Sequence, residues 1–136
     1  AYDAGSGLTP RLVNLSALHH VNAGGLLTAG FTIAGTGSKT VLIRAVGPGL
    51  AAVGVTGVVP DPKLALFAAG GAKVAENDDW PTALAPVFAS VGAFALTPGD
   101  RDAALLLTLL PGGYSAHVGT AGDTGGAVLV EIYEVP

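Results

Sequence analysis

The sequence predicts an all-β fold, a sandwich or barrel of short strands. Three observations predict it. Short apolar stretches rich in Val, Ile, Leu and Thr recur along the whole chain. Several of them alternate with a period of two, which sends successive side chains to opposite faces of a sheet. Gly, Pro and Asp punctuate them, supplying the backbone angles that tight turns require.

Strands are expected at about 10–18, 26–34, 39–46, 63–68, 72–76, 103–110, 113–119 and 127–135. Gly35-Thr36-Gly37-Ser38 joins the second to the third. In the third, Val41, Ile43 and Ala45 share one face, with Thr40, Leu42, Arg44 and Val46 on the other; this alternation predicts one set in the core. The segment 47–60 is small and glycine-rich and does not read as a strand. Thr82 to Val91 suits a short helix whose length Pro86 limits. Pro111-Gly112-Gly113 turns the chain into 113–119, where Tyr114, Ala116 and Val118 oppose Ser115 and His117. Gly122-Asp123-Thr124-Gly125-Gly126 leads into the last strand.

Composition narrows the class. Half of the 136 residues are apolar, mean hydropathy is +0.59, and only 12% are charged. A globular chain carries about 25% charged residues, so this one has roughly half the usual share. A disordered segment needs the opposite balance. Six basic against 10 acidic residues argue against binding to nucleic acid or to an anionic membrane. The absence of cysteine excludes disulfides and thiolate metal sites. The longest apolar runs, 103–110 and 83–96, are interrupted and fall short of the ~18 residues of a spanning helix, so no membrane insertion is expected. No composition break or repeat divides the chain, and residues 1–136 are read as one domain. Ala1 in place of a methionine suggests a signal peptide removed before it, and with it an extracellular or cell-surface location.

Several segments resemble a known type of module. Residues 11–16 (RLVNLS), 39–48 (KTVLIRAVGP) and 61–67 (DPKLALF), with Asn77-Asp78-Asp79-Trp80 and 111–116 (PGGYSA), resemble an uncharacterised β-sandwich module of bacterial secreted and surface proteins, from about Arg11 onward. The order of an L-x-L-F strand, an N-D-D loop and a P-G-G-Y strand is also similar, more distantly, to the bacterial pre-peptidase C-terminal domain. That resemblance implies an antiparallel, jelly-roll-like β-sandwich of about 8–9 strands, with one short helix near 82–91. Some domains of that group bind calcium or collagen through acidic loops. Fold carries across such a likeness better than function does.

The loop Glu76-Asn77-Asp78-Asp79 is the densest set of oxygen ligands. Calcium takes 6–8 oxygens, so Asn77, Asp78 and Asp79 are candidate calcium ligands, and calcium is the one candidate cofactor. The alternative is a solvated turn in which Asn77 and Asp78 bond their own backbone and Trp80 covers the core edge. Arg44 sits inside an apolar run and needs a carboxylate partner; Asp61, Asp78 and Asp79 are candidates, and a structural ion pair of Arg44 with Asp61 is expected. Adjacent His19 and His20 point to opposite faces, His117 lies on the polar face of its strand, and Asp100-Arg101-Asp102 reads as a solvated corner.

No constellation for catalysis is legible, and no enzyme is expected. Gly37-Ser38-Lys39-Thr40 lacks the glycine before lysine that a phosphate loop needs and leads into a strand. Gly47-Pro48-Gly49 fits a loose dinucleotide pattern, but Gly54, Gly57 and Pro60 leave no helix to hold a pyrophosphate. There is no G-x-S-x-G elbow. Edge strands need charge, proline or bulges to stay unpaired, and this chain has only three lysines. The reading that follows is a secreted, non-enzymatic structural subunit that polymerises with itself into a filament or surface layer. Residues 1–18 would be the exchanged donor strand, with Leu12, Val13 and Leu15 as its anchors. The alternative is a calcium-, glycan- or protein-binding module of a cell-surface protein, with Trp80 as the residue to test for sugar stacking.

Overall fold

The alternating segments build two four-stranded sheets. The computed structural model describes residues 14–136. Its strands are β1 (Asn14–Val21), β2 (Leu26–Ile33), β3 (Lys39–Val46), β4 (Pro62–Ala68), β5 (Lys73–Asn77), β6 (Ala103–Leu109), β7 (Gly112–Thr120) and β8 (Gly126–Val135). One sheet has the order β1-β8-β3-β6, the other β2-β7-β4-β5. All pairings between these strands are antiparallel. The chain changes sheet at every step except from β4 to β5, which gives an eight-stranded jelly roll. The fold expected from the sequence is the fold observed. Two one-turn or two-turn helices interrupt it, α1 (Pro48–Ala51) and α2 (Ala85–Ser90), the latter entered through a 3-10 turn at Thr82–Leu84.

Between the sheets, Val41, Ile43, Val128, Val130 and Ile132 of the first sheet meet Phe31, Leu64, Leu66, Ala116 and Val118 of the second. In β7 the inward set is Tyr114, Ala116 and Val118, as its alternation predicts, and Tyr114 stacks on Phe31. In β3 the alternation misleads. Leu42, Arg44 and Val46 are as fully buried as Val41 and Ile43. The reason is a third layer. Residues 47–59 and 80–102 fold back over the outer face of the first sheet and place Leu50, Trp80, Phe88 and Leu96 against Leu42, Val46 and Tyr133. A strand covered on both faces shows a continuous apolar run, and residues 41–46 are such a run broken only by Arg44.

Arg44 does not pair with Asp61. Its Cα partner across the β3–β8 ladder is Glu131, and the two side chains meet beneath the third layer. Nε donates to Glu131 Oε1 at 2.8 Å, and Nη2 lies 2.7 Å from the same oxygen as a charge contact outside hydrogen-bond alignment. Nη1 donates to the Phe94 carbonyl at 2.7 Å. The guanidinium is clasped between the rings of Phe88 and Phe94, 4.7 Å from each centroid. Tyr133 donates its hydroxyl to the other Glu131 oxygen, and burial with the neighbouring carboxylate holds that phenol well above its ordinary range. Chain order had pointed to the nearer aspartates; the strand order decided instead.

The corner at Asp100-Arg101-Asp102 is likewise only half solvated. Arg101 is exposed, but Asp102 is fully buried, and its Oδ1 accepts the Gly47 and Gly49 amides at 2.8 and 3.0 Å. This carboxylate closes the turn into α1. Any side chain at Gly47 would press on the Val59 carbonyl, so the backbone approaches there only because the residue is glycine. Burial pushes the Asp102 carboxyl up, with the two amide bonds opposing that shift. Asp102→Ala strands both amides in the interior and is expected to lower unfolding free energy by about 2–4 kcal/mol in urea titrations. Asp102→Asn keeps the oxygen acceptor, so it should lose much less; equal losses would refute the capping role.

Candidate functional site

Three places carry the residues that the sequence singles out. The first is the acidic end of the sandwich where β4 begins and β5 ends. Asp61, Asp78 and Asp79 converge there, each offering a carboxylate oxygen within 4.8 Å of the others. Asn77 is occupied elsewhere. Its Nδ2 donates to the Asp79 carbonyl at 3.1 Å, and its Oδ1 accepts the Ala104 amide at 3.1 Å, tying β5 to the edge of β6. Glu76 turns to Lys73 at 2.6 Å, whose hydrogen bond and charge hold its carboxyl below the usual range. The carboxylates that converge are Asp61, Asp78 and Asp79, with Asn77 beside them engaged in hydrogen bonds. Asp61 was read from sequence only as a partner for Arg44, because nothing local links it to a loop beyond β5.

Asp61 also receives Arg101, Nη1 to Oδ2 at 3.3 Å, in an exposed pair. Asp78 carries the cost of crowding. Partial burial, then hydrogen bonding to Asp61 and repulsion from Asp61 and Asp79, push its carboxyl up to about 6 from 3.8. Three carboxylates could supply part of the 6–8 oxygens that calcium takes.

The second place is the side of the sandwich where β1 and β2 form the adjacent edges of their two sheets. From Asn14 to Ser38 the sequence has no Lys, Arg, Asp, Glu or Pro. Leu18 is 58% and Leu26 63% exposed. Between the edges runs a groove of about 240 Å³ walled by Leu15, Ala17, Ala29, Gly30, Val130 and Ile132. Leu15, expected as a donor-strand anchor, lines this groove. Residues 14–18, however, are paired with the chain's own β8, Leu15 opposite Ile132, so this part of the expected donor strand is used within the subunit. Leu12 and Val13 lie outside the described residues. His19 borders the groove and His20 is exposed.

The third place concerns the aromatic residues. Trp80 is buried against Phe88, with ring centroids 5.1 Å apart, so it presents no stacking face to a sugar. His117, on the outer face of the second sheet, has its ring centroid 4.4 Å from that of Phe67.

No family model and no curated protein sequence matches the chain. Among solved structures the fold is similar to the pre-peptidase C-terminal domain of a collagenase from Bacillus anthracis, with a TM-score of 0.56 and 10% identity over 88% of this chain and 89% of that one. A GH115 4-O-methyl-α-glucuronidase also matches, with a TM-score of 0.42 and 15% identity over 88% of this chain but 14% of its own. The first likeness is one of fold, a β-sandwich like that of the pre-peptidase C-terminal domain, and it agrees with the distant resemblance read from the L-x-L-F, N-D-D and P-G-G-Y segments. Among the described residues, no helix is long and apolar enough to cross a membrane.

A folded-state carboxyl raised above its unfolded value binds extra protons in the fold, so stability falls as pH rises through that window. For Asp78 the window runs from about 4 to about 6. Between pH 7 and pH 5 the melting temperature of the wild type is expected to rise relative to that of Asp78→Asn. Parallel curves for the two proteins would show that the crowding is absent.

Proposed function

We propose that this chain is an exported, non-enzymatic structural module that assembles with copies of itself by strand addition at the β1–β2 side. The observation that carries the reading is the pair of unguarded edges flanking an apolar groove. Open strand edges present unpaired N–H and C=O groups, and natural monomers blunt them with charge, proline or bulges. The opposite edge is so treated. β5 bears the Lys73–Glu76 pair, and a register shift interrupts its pairing with β4 at Leu66/Phe67. β1 and β2 have neither charge nor proline over their whole length.

An added strand would supply backbone partners to an edge and set apolar side chains into the groove. The segment preceding Asn14 in a neighbouring copy, with Leu12 and Val13, is the proposed donor, now without residues 14–18. Head-to-tail exchange does not close on itself, so it extends into a filament or layer.

Static light scattering and negative-stain microscopy test this directly. Leu18→Lys and Leu26→Lys together are expected to leave a folded monomer with a melting temperature within a few degrees of wild type, while wild type forms species of rising mass with concentration. Removal of residues 1–13 should also abolish growth. Monomeric wild type at all concentrations, or polymers unaffected by the edge lysines, would contradict the reading.

The acidic cluster favours a second reading, a calcium-braced module of a larger surface protein. A cation between Asp61, Asp78 and Asp79 would relieve the repulsion that raises Asp78. Calcium should then raise the melting temperature of the wild type and leave Asp78→Asn unmoved; equal responses would remove this reading.

A further inference from the structure

The outer face of the second sheet has a dip at its centre, bordered by Leu26 of the β2 edge and Asp78 of the acidic cluster but with a floor that belongs to neither. Strand register explains it. Rows of side chains cross the sheet from β2 through β7 and β4 to β5, and one row runs Thr28, His117, Ala65, Glu76. The next row runs Leu26, Gly119, Lys63. Ala65 and Gly119, diagonal neighbours at the middle of these rows, have almost no side chain, so the sheet surface sinks between taller residues. The cleft measures about 650 Å³, within the ~300–1,000 Å³ typical of small-ligand sites.

Its walls differ in chemistry. Phe67 and His117, in contact at 4.4 Å, form an aromatic wall on one side. Leu26 and the Gly24-Gly25 turn form another; this turn is pinned to the sheet by the Gly24 amide, which donates to Thr120 Oγ1 at 3.2 Å. Lys63, Lys73, Glu76 and Asp78 complete the rim, two charges of each sign. Lys73 is engaged with Glu76, while Lys63 makes no ion pair among the described residues.

We propose that this cleft binds a neutral sugar ring of a glycan. An aromatic wall suits the C–H face of a pyranose, an apolar surface that stacks on a ring. A rim of paired donors and acceptors suits hydroxyls, each of which both donates and accepts. The balanced charge disfavours a strongly anionic or cationic ligand, since either sign meets repulsion from half of the rim. The floor is open because Ala65 and Gly119 are small, which makes them the specificity-determining positions. The proposal does not rest on polymerisation, although Leu26 borders both surfaces, and it replaces Trp80, which is buried, with Phe67 as the stacking residue.

The test is two-dimensional NMR of the labelled 136-residue chain titrated separately with maltohexaose, cellohexaose, xylohexaose and a heparin hexasaccharide. At least one neutral oligosaccharide is expected to give saturable shifts at the amides of Ala65, Phe67, His117 and Gly119. Phe67→Ala should weaken that binding about tenfold, the equivalent of roughly 1.4 kcal/mol. Ala65→Leu fills the dip from the solvent side without touching the core residues Leu64 and Leu66, so it should abolish the shifts at an unchanged melting temperature. The edge variant Leu18→Lys should bind as wild type does. The proposal is overturned by no localised shifts with any neutral oligosaccharide, by response to the heparin fragment alone, or by binding that survives Ala65→Leu.

Discussion

A guanidinium with no access to water fixes the arrangement of this protein. Arg44 is fully buried, and an isolated buried charge costs far more than a small domain can tolerate. Its charge is balanced only because β3 and β8 run side by side in a register that sets Glu131 opposite. Its Nη1 donates to the Phe94 carbonyl, and its flat faces lie against Phe88 and Phe94, so the segment 80–102 has to fold over the sheet. That layer is in turn anchored at its far end by Asp102, which caps the turn entering α1. Strand order, third layer and the Gly47 turn are linked through these two buried acids and one buried base.

This internal use of charge bears on the surface. The chain has few charged residues to begin with, and Arg44, Glu131 and Asp102 are spent inside. What remains is unevenly placed. Lys63, Lys73, Glu76, Asp61, Asp78 and Asp79 gather on the β4–β5 side, and the segment from β1 through β2 has none. The edge of β6 is in part taken up by Asn77, which accepts the Ala104 amide. The β1–β2 side of the sandwich is thus the one whose edge backbone and apolar groups lie open, while the outer face of the second sheet holds the cleft at Ala65 and Gly119.

Much of the fold was legible because its signals are local. Period-two alternation in 113–119 and the glycine turns at 35–38 and 122–126 place strands within a few residues of their observed limits. The need of Arg44 for a partner was legible too. The identity of that partner was not, since Glu131 lies 87 residues away and meets it only through sheet order. The same holds for Asp61, brought to Asp78 and Asp79 by the adjacency of β4 and β5. Asp102 sits in a D-R-D triplet that looks like any exposed corner; the usable sign was elsewhere, in a G-P-G turn whose free amides call for an acceptor. The cleft could not be read from sequence, because two small residues make a dip only once register sets them side by side.

The most direct measurement is a double-mutant cycle on Arg44 and Glu131, followed by chemical unfolding. Arg44→Met and Glu131→Leu are each expected to cost about 3–5 kcal/mol, since each leaves the other charge buried and unpaired. The double variant replaces the pair with apolar groups and should recover much of that loss, a large coupling between the sites. Single variants near wild-type stability, or losses that simply add, would contradict the claim that this pair organises the layers above and below it.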